Sequence, residues 1–155
     1  MTRMIAVDIA KCTNCRMCEM VCSLATTGAI APTKSRIRVY VFAEEFKHIP
    51  LTCFQCADAP CVKVCPAGAL LQGDGLVRFV KSACIGCRMC MLACPFGVIA
   101  FDSEERVIAK CDICDGDPEC VRFCACGALT FRESALAAVP KGRDFARRVA
   151  EAASG

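Results

Sequence analysis

The chain has 155 residues, of which 17 are cysteine and one is histidine, and its formal net charge is +3. That length suits one domain or two small ones, and cysteine usage this high lies far outside that of an ordinary soluble domain. No window of about 18 uninterrupted apolar residues marks a membrane span. The opening residues, MTRMIAVDIAKC, lack the apolar stretch and small-residue cleavage site of an export signal and carry no twin arginine, which predicts a cytoplasmic chain.

Residues 3–9, RMIAVDI, are short and β-branched and predict a strand. It leads into a first thiol motif, Cys12, Cys15, Cys18 and Cys22, with two, two and three residues between them. Ser23 follows the fourth thiol where a proline would break the chain, so a helical turn is expected to continue there. TTGAIAPTKS has the composition of a loop, and the alternation in RIRVYVF predicts a strand at 36–42. His48 is read as an ordinary partly buried or surface residue, the alternative being one that tunes or gates a nearby centre.

The second motif places Cys53, Cys56, Cys61 and Cys65 at spacings of two, four and three, with Pro66 next. LLQGDGLVRFV then predicts a hairpin around Gly-Asp-Gly. It delivers the chain to a third motif, CIGCRMCMLACP, with Cys84, Cys87, Cys90 and Cys94 at two, two and three. FGVIAFDSEERVIAKC predicts another hairpin, with 102–105 as turn and 106–110 as strand. The fourth motif, Cys111, Cys114, Cys120 and Cys124, has spacings of two, five and three.

Motifs one and three share CRMC at an offset of 72 residues, and motifs two and four end CVKVCPAGAL and CVRFCACGAL. The chain thus looks like two tandem halves, about 10–72 and 82–131, each with one compact and one stretched motif. Two residues depart from the pattern: Ala125 replaces the proline, and Cys126 is the seventeenth thiol, standing where Ala67 stands in motif two. Cys124 is taken as the ligand and Cys126 as a buried structural thiol, the alternative being that Cys126 replaces Cys124. The tail, PKGRDFARRVAEAASG, spaces Phe145 and Val149 for a short amphipathic helix, read either as a frayed surface helix or as a docking arm.

The CxxCxxCxxxCP run is the spacing of bacterial iron-sulfur ligation, in which the fourth cysteine serves the other cluster of a two-cluster protein. Disulfides fit poorly with an odd cysteine count and no export signal. Zinc ribbons separate their CxxC pairs by about 15 to 20 residues, whereas here four thiols crowd into eleven to fourteen positions. A zinc-binding structural module is therefore the lesser reading. Sixteen motif cysteines make four 4Fe-4S cubes, each with a net charge of about −2 once its four thiolates are counted, which turns the formal +3 into about −5. The basic excess then offsets cluster charge and is no nucleic-acid footprint. The clusters are expected to act as the core, leaving a largely unfolded apoprotein. Arg16 and Arg88 are either solvated or place charge beside clusters, and Met17 and Met89 either fill gaps or pack on them. No catalytic constellation is present, so the chain is read as moving electrons without itself being an enzyme.

The layout CxxCxxCxxxC, CxxCxxxxCxxxCP, CxxCxxCxxxCP and KCDICDGDPECVRFC over residues 3–131 resembles the four-cluster ferredoxin-like subunits of molybdenum and tungsten oxidoreductases, hydrogenase complexes and carbon monoxide dehydrogenases. It looks most like the small electron-transfer subunit of tungsten aldehyde oxidoreductases. The resemblance implies an α+β fold of pseudo-symmetric bacterial-ferredoxin-like modules, with short hairpins and helices wrapped around four cubanes. It implies a polyferredoxin domain over 1–131 in which motif one pairs with four and motif two with three, followed by the tail at 132–155. Cluster A would then be held by Cys12, Cys15, Cys18 and Cys124, and cluster B by Cys22, Cys111, Cys114 and Cys120. Cluster C would take Cys53, Cys56, Cys61 and Cys94, and cluster D would take Cys65, Cys84, Cys87 and Cys90. The missing proline at Ala125 puts the geometry of A in question. The implied partners are a tungsten or molybdenum pterin catalytic subunit and a flavin subunit or soluble carrier, with stacked copies of the chain as a further expectation. The alternatives are a relay subunit of benzoyl-coenzyme A reductase, carbon monoxide dehydrogenase or a hydrogenase or formate system, and a free polyferredoxin.

Overall fold

A computed structural model of the chain describes residues 3–133. The expected amphipathic helix around Phe145 and Val149 lies outside the described residues. Strand β1, Arg3–Val7, buries Ile5, and its end is fixed by Asp8, whose carboxylate accepts from the Ala10 N–H at 3.2 Å. Helix α1, Met17–Thr27, runs past Ser23 as expected. Gly28, with φ 75°, stops it by donating its N–H to Leu24 at 2.9 Å.

Strand β2, Arg38–Phe42, pairs antiparallel with β3, Lys47–Leu51. No strand was expected at residues 47–51, and β3 contains Pro50, which cannot donate to a ladder. A two-stranded hairpin leaves each strand an open edge, so Pro50 is accommodated opposite Val39. Strands β4, Leu70–Gly73, and β5, Leu76–Phe79, form the expected hairpin. Asp74 and Gly75 both have positive φ, 52° and 75°, the turn whose twist matches the strands. The next hairpin pairs β6, Ala100–Asp102, with β7, Val107–Ala109, and its turn is held by the Asp102 carboxylate, which accepts from Glu104 and Glu105. The last strand, β8, Leu129–Glu133, returns to pair with β1 in the register Arg3↔Glu133 to Val7↔Leu129.

The remaining helices are short: α2, Pro60–Lys63, α3, Met89–Ala93, and α4, Glu119–Arg122. Helix α1 packs against α4, and α2 against α3. The tandem repeat in sequence is thus nested in space, with the outer motifs together and the inner motifs together. Two cores result. One gathers Ile5, Ile37, Val39, Leu76, Ile113 and Leu129 around five buried cysteines, and the other gathers Leu70, Val77, Ile99 and Ile108 around Cys61 and Cys90.

Candidate functional site

The four thiol motifs share a backbone device. The residue before the second cysteine is left-handed in every one: Asn14 at φ 58°, Gln55 at 49°, Gly86 at 69° and Ile113 at 59°. For a β-branched residue such as Ile113 this conformation is a true outlier, and strain of this kind persists only where the surroundings fix it. The effect is a tight loop that turns successive thiols toward one space. After the fourth thiol of motifs two, three and four, a glycine three residues on has φ of 61 to 64° and donates its N–H to that cysteine's carbonyl. These distances are 3.3 Å for Gly68, 3.2 Å for Gly97 and 3.0 Å for Gly127. Ala125 therefore leaves the turn unchanged, and the glycine, not the proline, sets its geometry.

Four cavities follow, each with about 300 to 340 Å3 of space free of protein atoms and partly open to solvent. One is lined by Cys12, Cys15, Cys18 and Cys124, together with Cys126. A second is lined by Cys22, Cys111, Cys114 and Cys120, a third by Cys53, Cys56, Cys61 and Cys94, and a fourth by Cys65, Cys84, Cys87 and Cys90. In each cavity three thiols come from one motif and the fourth from its spatial partner. Helix α1 makes the exchange directly: Cys18 and Cys22, one turn apart, are both buried and line different cavities. All 17 cysteines are free thiols. Among the described residues, no group of His, Cys, Asp or Glu converges on a point suited to a single ion. Four soft donors spread around a space are the complement that a cubane requires.

Backbone N–H groups reach the sulfurs. Cys65 Sγ accepts from Ala69 at 3.2 Å, Cys22 Sγ from Arg36 at 3.3 Å and Cys111 Sγ from Ile113 at 3.4 Å. Such bonds adjust reduction potential. Burial is the dominant cause that pushes the Cys18 thiol up to about 12 and Cys90 and Cys111 up to about 11; it also raises Cys120. Cluster binding must displace those protons. Exposure grades the cavities: Cys15 and Cys87 are exposed, whereas every cysteine of the second and third cavities is buried or half-buried. The third is shielded further by Phe54 and Phe96, with ring centroids 4.5 Å apart.

Of the other residues singled out in the sequence, Arg16 and Met17 line the first cavity and Arg88 the fourth. Arg88 lies over the Phe101 ring at 3.8 Å, a cation–π contact. Met89 is 46% exposed and outside that wall. His48 lines none of the four cavities, and its Nδ1 is buried without a hydrogen-bond partner among the described residues. Cys126 corrects its expectation: it is half-buried, not buried, and its sulfur is 3.7 Å from that of Cys124. The Ala128 N–H is the main cause holding the Cys126 thiol below its ordinary value. It occupies the first cavity's wall where Ala67 occupies the fourth's, as the repeat alignment requires.

Sequence reasoning missed Glu19, Gln55 and Lys110, all buried. Glu19 Oε1 accepts from the Val39 N–H at 2.8 Å and ties α1 to β2. Lys110 resembles Lys11 in preceding a motif, but Lys11 is exposed and paired with Asp8. Only the packing distinguishes them.

Residues 44–134 match one family described as a 4Fe-4S dicluster domain, and residues 11–69 match a second of the same description. The chain is 42% identical over 122 residues to the aliphatic sulfonate oxidoreductase polyferredoxin-like subunit of Pyrococcus furiosus, covering 77% of this chain and 70% of that protein. It is 42% identical over 130 residues to the beta subunit of the NADH-dependent phenylglyoxylate dehydrogenase of Aromatoleum evansii, covering 81% of this chain but only 29% of that subunit. Formate hydrogenlyase subunit 2 of Escherichia coli is 32% identical over 166 residues, covering 83% and 81%. Among solved structures, an active-site complex of benzoyl coenzyme A reductase with 1,5-dienoyl-CoA matches at a TM-score of 0.50 and 28% identity over 86% of this chain and 78% of that one. No helix among the described residues is long and apolar enough to cross a membrane. The chain belongs to the 4Fe-4S dicluster domain family.

Proposed function

We propose that this chain is the electron-relay subunit of an oxidoreductase complex, with four 4Fe-4S clusters held in its four cavities. The observation that carries this reading is the lining of each cavity by four cysteines, three from one motif and one from its partner. When bound, the clusters supply one-electron storage; the chain's own part is placement, insulation and charge. Cys12, Cys15, Cys18 and Cys124 hold A; Cys22, Cys111, Cys114 and Cys120 hold B; Cys53, Cys56, Cys61 and Cys94 hold C; Cys65, Cys84, Cys87 and Cys90 hold D.

Core membership supports the order A, B, C, D. The first core contains Cys18 of A, Cys22, Cys111 and Cys120 of B, and Cys53 of C, while the second contains Cys61 of C and Cys90 of D. Exposed Cys15 and Cys87 then mark the two ends, where exchange with partners takes place, and the interior pair is shielded. The partner at one end is a tungsten or molybdenum pterin catalytic subunit, an aldehyde oxidoreductase by resemblance, and at the other a flavin subunit or soluble carrier. Kinship with named subunits of sulfonate, phenylglyoxylate and formate systems supports assignment to such a complex without selecting its substrate. Open ends on both sides also suit stacking of copies, which the native mass of the complex tests.

Metal analysis and copurification from the native source test the proposal. About sixteen irons per chain are expected for four cubes, together with a pterin-bearing subunit in the same complex. A colourless, zinc-bearing chain, or one that purifies alone, defeats it.

A further inference from the structure

Lys110 is 1% exposed. Its Nζ has three acceptors: the carbonyls of Val77 at 2.6 Å and Cys111 at 2.7 Å, and Gln55 Oε1 at 3.4 Å. Three acceptors around one nitrogen match the three protons of an ammonium, which has no lone pair to present. All three oxygens are neutral, and among the described residues Lys110 forms no ion pair with a carboxylate. A buried charge without a partner is costly, so its counter-charge must come from elsewhere.

The surroundings say from where. Val77 lines the cavity of Cys53, Cys56, Cys61 and Cys94, and Cys111 lines that of Cys22, Cys114 and Cys120. Lys110 is thus bonded to the wall of each middle cavity. Gln55 closes the bridge: its Nε2 donates to the Cys111 carbonyl and its Oε1 accepts from the Val77 N–H, both at 2.8 Å. Gln55 is itself a loop residue of motif two, between Cys53 and Cys56, held at φ 49°.

We propose that Lys110 is the shared counter-charge of the two middle centres and holds their reduction potentials above those a neutral residue would give. This rests on the relay reading above, which puts clusters in both cavities. A centre that accepts an electron becomes one unit more negative, so a fixed cation nearby favours its reduced form more than its oxidised form. In a relay this keeps the interior pair from becoming a barrier between the exposed ends.

The test is an equilibrium redox titration followed by electron paramagnetic resonance on the full chain as purified, with iron counted in parallel. Lys110→Met should keep its iron and lower two of the four midpoint potentials. Gln55→Glu, which sets a carboxylate against the ammonium, should lower the same two, whereas Gln55→Met, which breaks the bridge without changing charge, should leave them near wild type. Unchanged midpoints in fully loaded Lys110→Met overturn the inference, as does an equal fall in Gln55→Met and Gln55→Glu. If Lys110→Met fails to load, the comparison of the two Gln55 variants decides alone. Wild-type protein without iron would instead defeat the relay reading itself.

Discussion

Cys124 and Cys126 hold their sulfur atoms 3.7 Å apart on one wall of the cavity that also carries Cys12, Cys15 and Cys18. Five thiols therefore face a space that, in the proposed relay, holds one cluster with four ligands. The turn places Cys124 where Cys65 stands in its own cavity, and the Gly127 N–H bonds its carbonyl as Gly68 bonds that of Cys65. Cys126 instead takes the place of Ala67, a residue with no donor to offer a metal. Cys124→Ser is expected to lose iron from one centre, about a quarter of the sixteen expected for four cubes. Cys126→Ser should retain all of it. Iron per chain on both variants checks this, and the reverse result would make Cys126 the ligand.

Gly86 is the loop residue whose replacement should cost most. Its φ is 69°, and a Cβ built there would lie 2.6 Å from the backbone oxygen of Arg106, which cannot swing aside. Gly28 has a similar φ of 75° with nothing within 4 Å. Gly28→Ala is therefore expected to cost about 1 kcal/mol from conformation alone, while Gly86→Ala adds a clash with the β6–β7 turn. Denaturation of both purified variants should rank Gly86→Ala clearly lower, with iron loss confined to it.

The grouping of sixteen thiols around four cavities was legible because a tight loop imposes spacing: the four motifs and the pseudo-repeat are all visible along the chain. The pairing of β1 with β8 was not, since no local signal links Ile5 with Phe131, its partner across 126 positions. Strand β3 was hidden by Pro50, and Lys110 by its likeness to Lys11. Cys126 was misjudged because thiols are usually buried, whereas here it is half-buried on a cavity wall, 3.7 Å from the sulfur of Cys124.

Ser23 replaces the proline of motifs two and three and so lets α1 continue, but it also has a fastening role. It is fully buried, its Oγ donates to the Met20 carbonyl at 2.8 Å and it accepts from the Ala31 N–H at 3.0 Å, which pins the loop beyond α1. Ser23→Ala strands the Ala31 donor. A loss of about 1–2 kcal/mol is expected, read by chemical denaturation, with iron content unchanged because Cys18 and Cys22 stay in place.

Removal of the metal should undo the fold. Each core consists of a handful of aliphatic side chains surrounding cysteines that face open space, so an empty cavity leaves its lining without partners on one side. The ion pairs that span the surface, such as Arg3 with Glu133 and Arg36 with Asp112, are partly exposed to solvent and contribute little. Chelation under air or acid treatment is therefore expected to abolish the near-ultraviolet signal and most hydrogen-exchange protection in β1 and β8. Refolding should require iron and sulfide together, not zinc. An apoprotein that kept a cooperative thermal transition and protected β1 and β8 amides would show that the cores stand without their clusters.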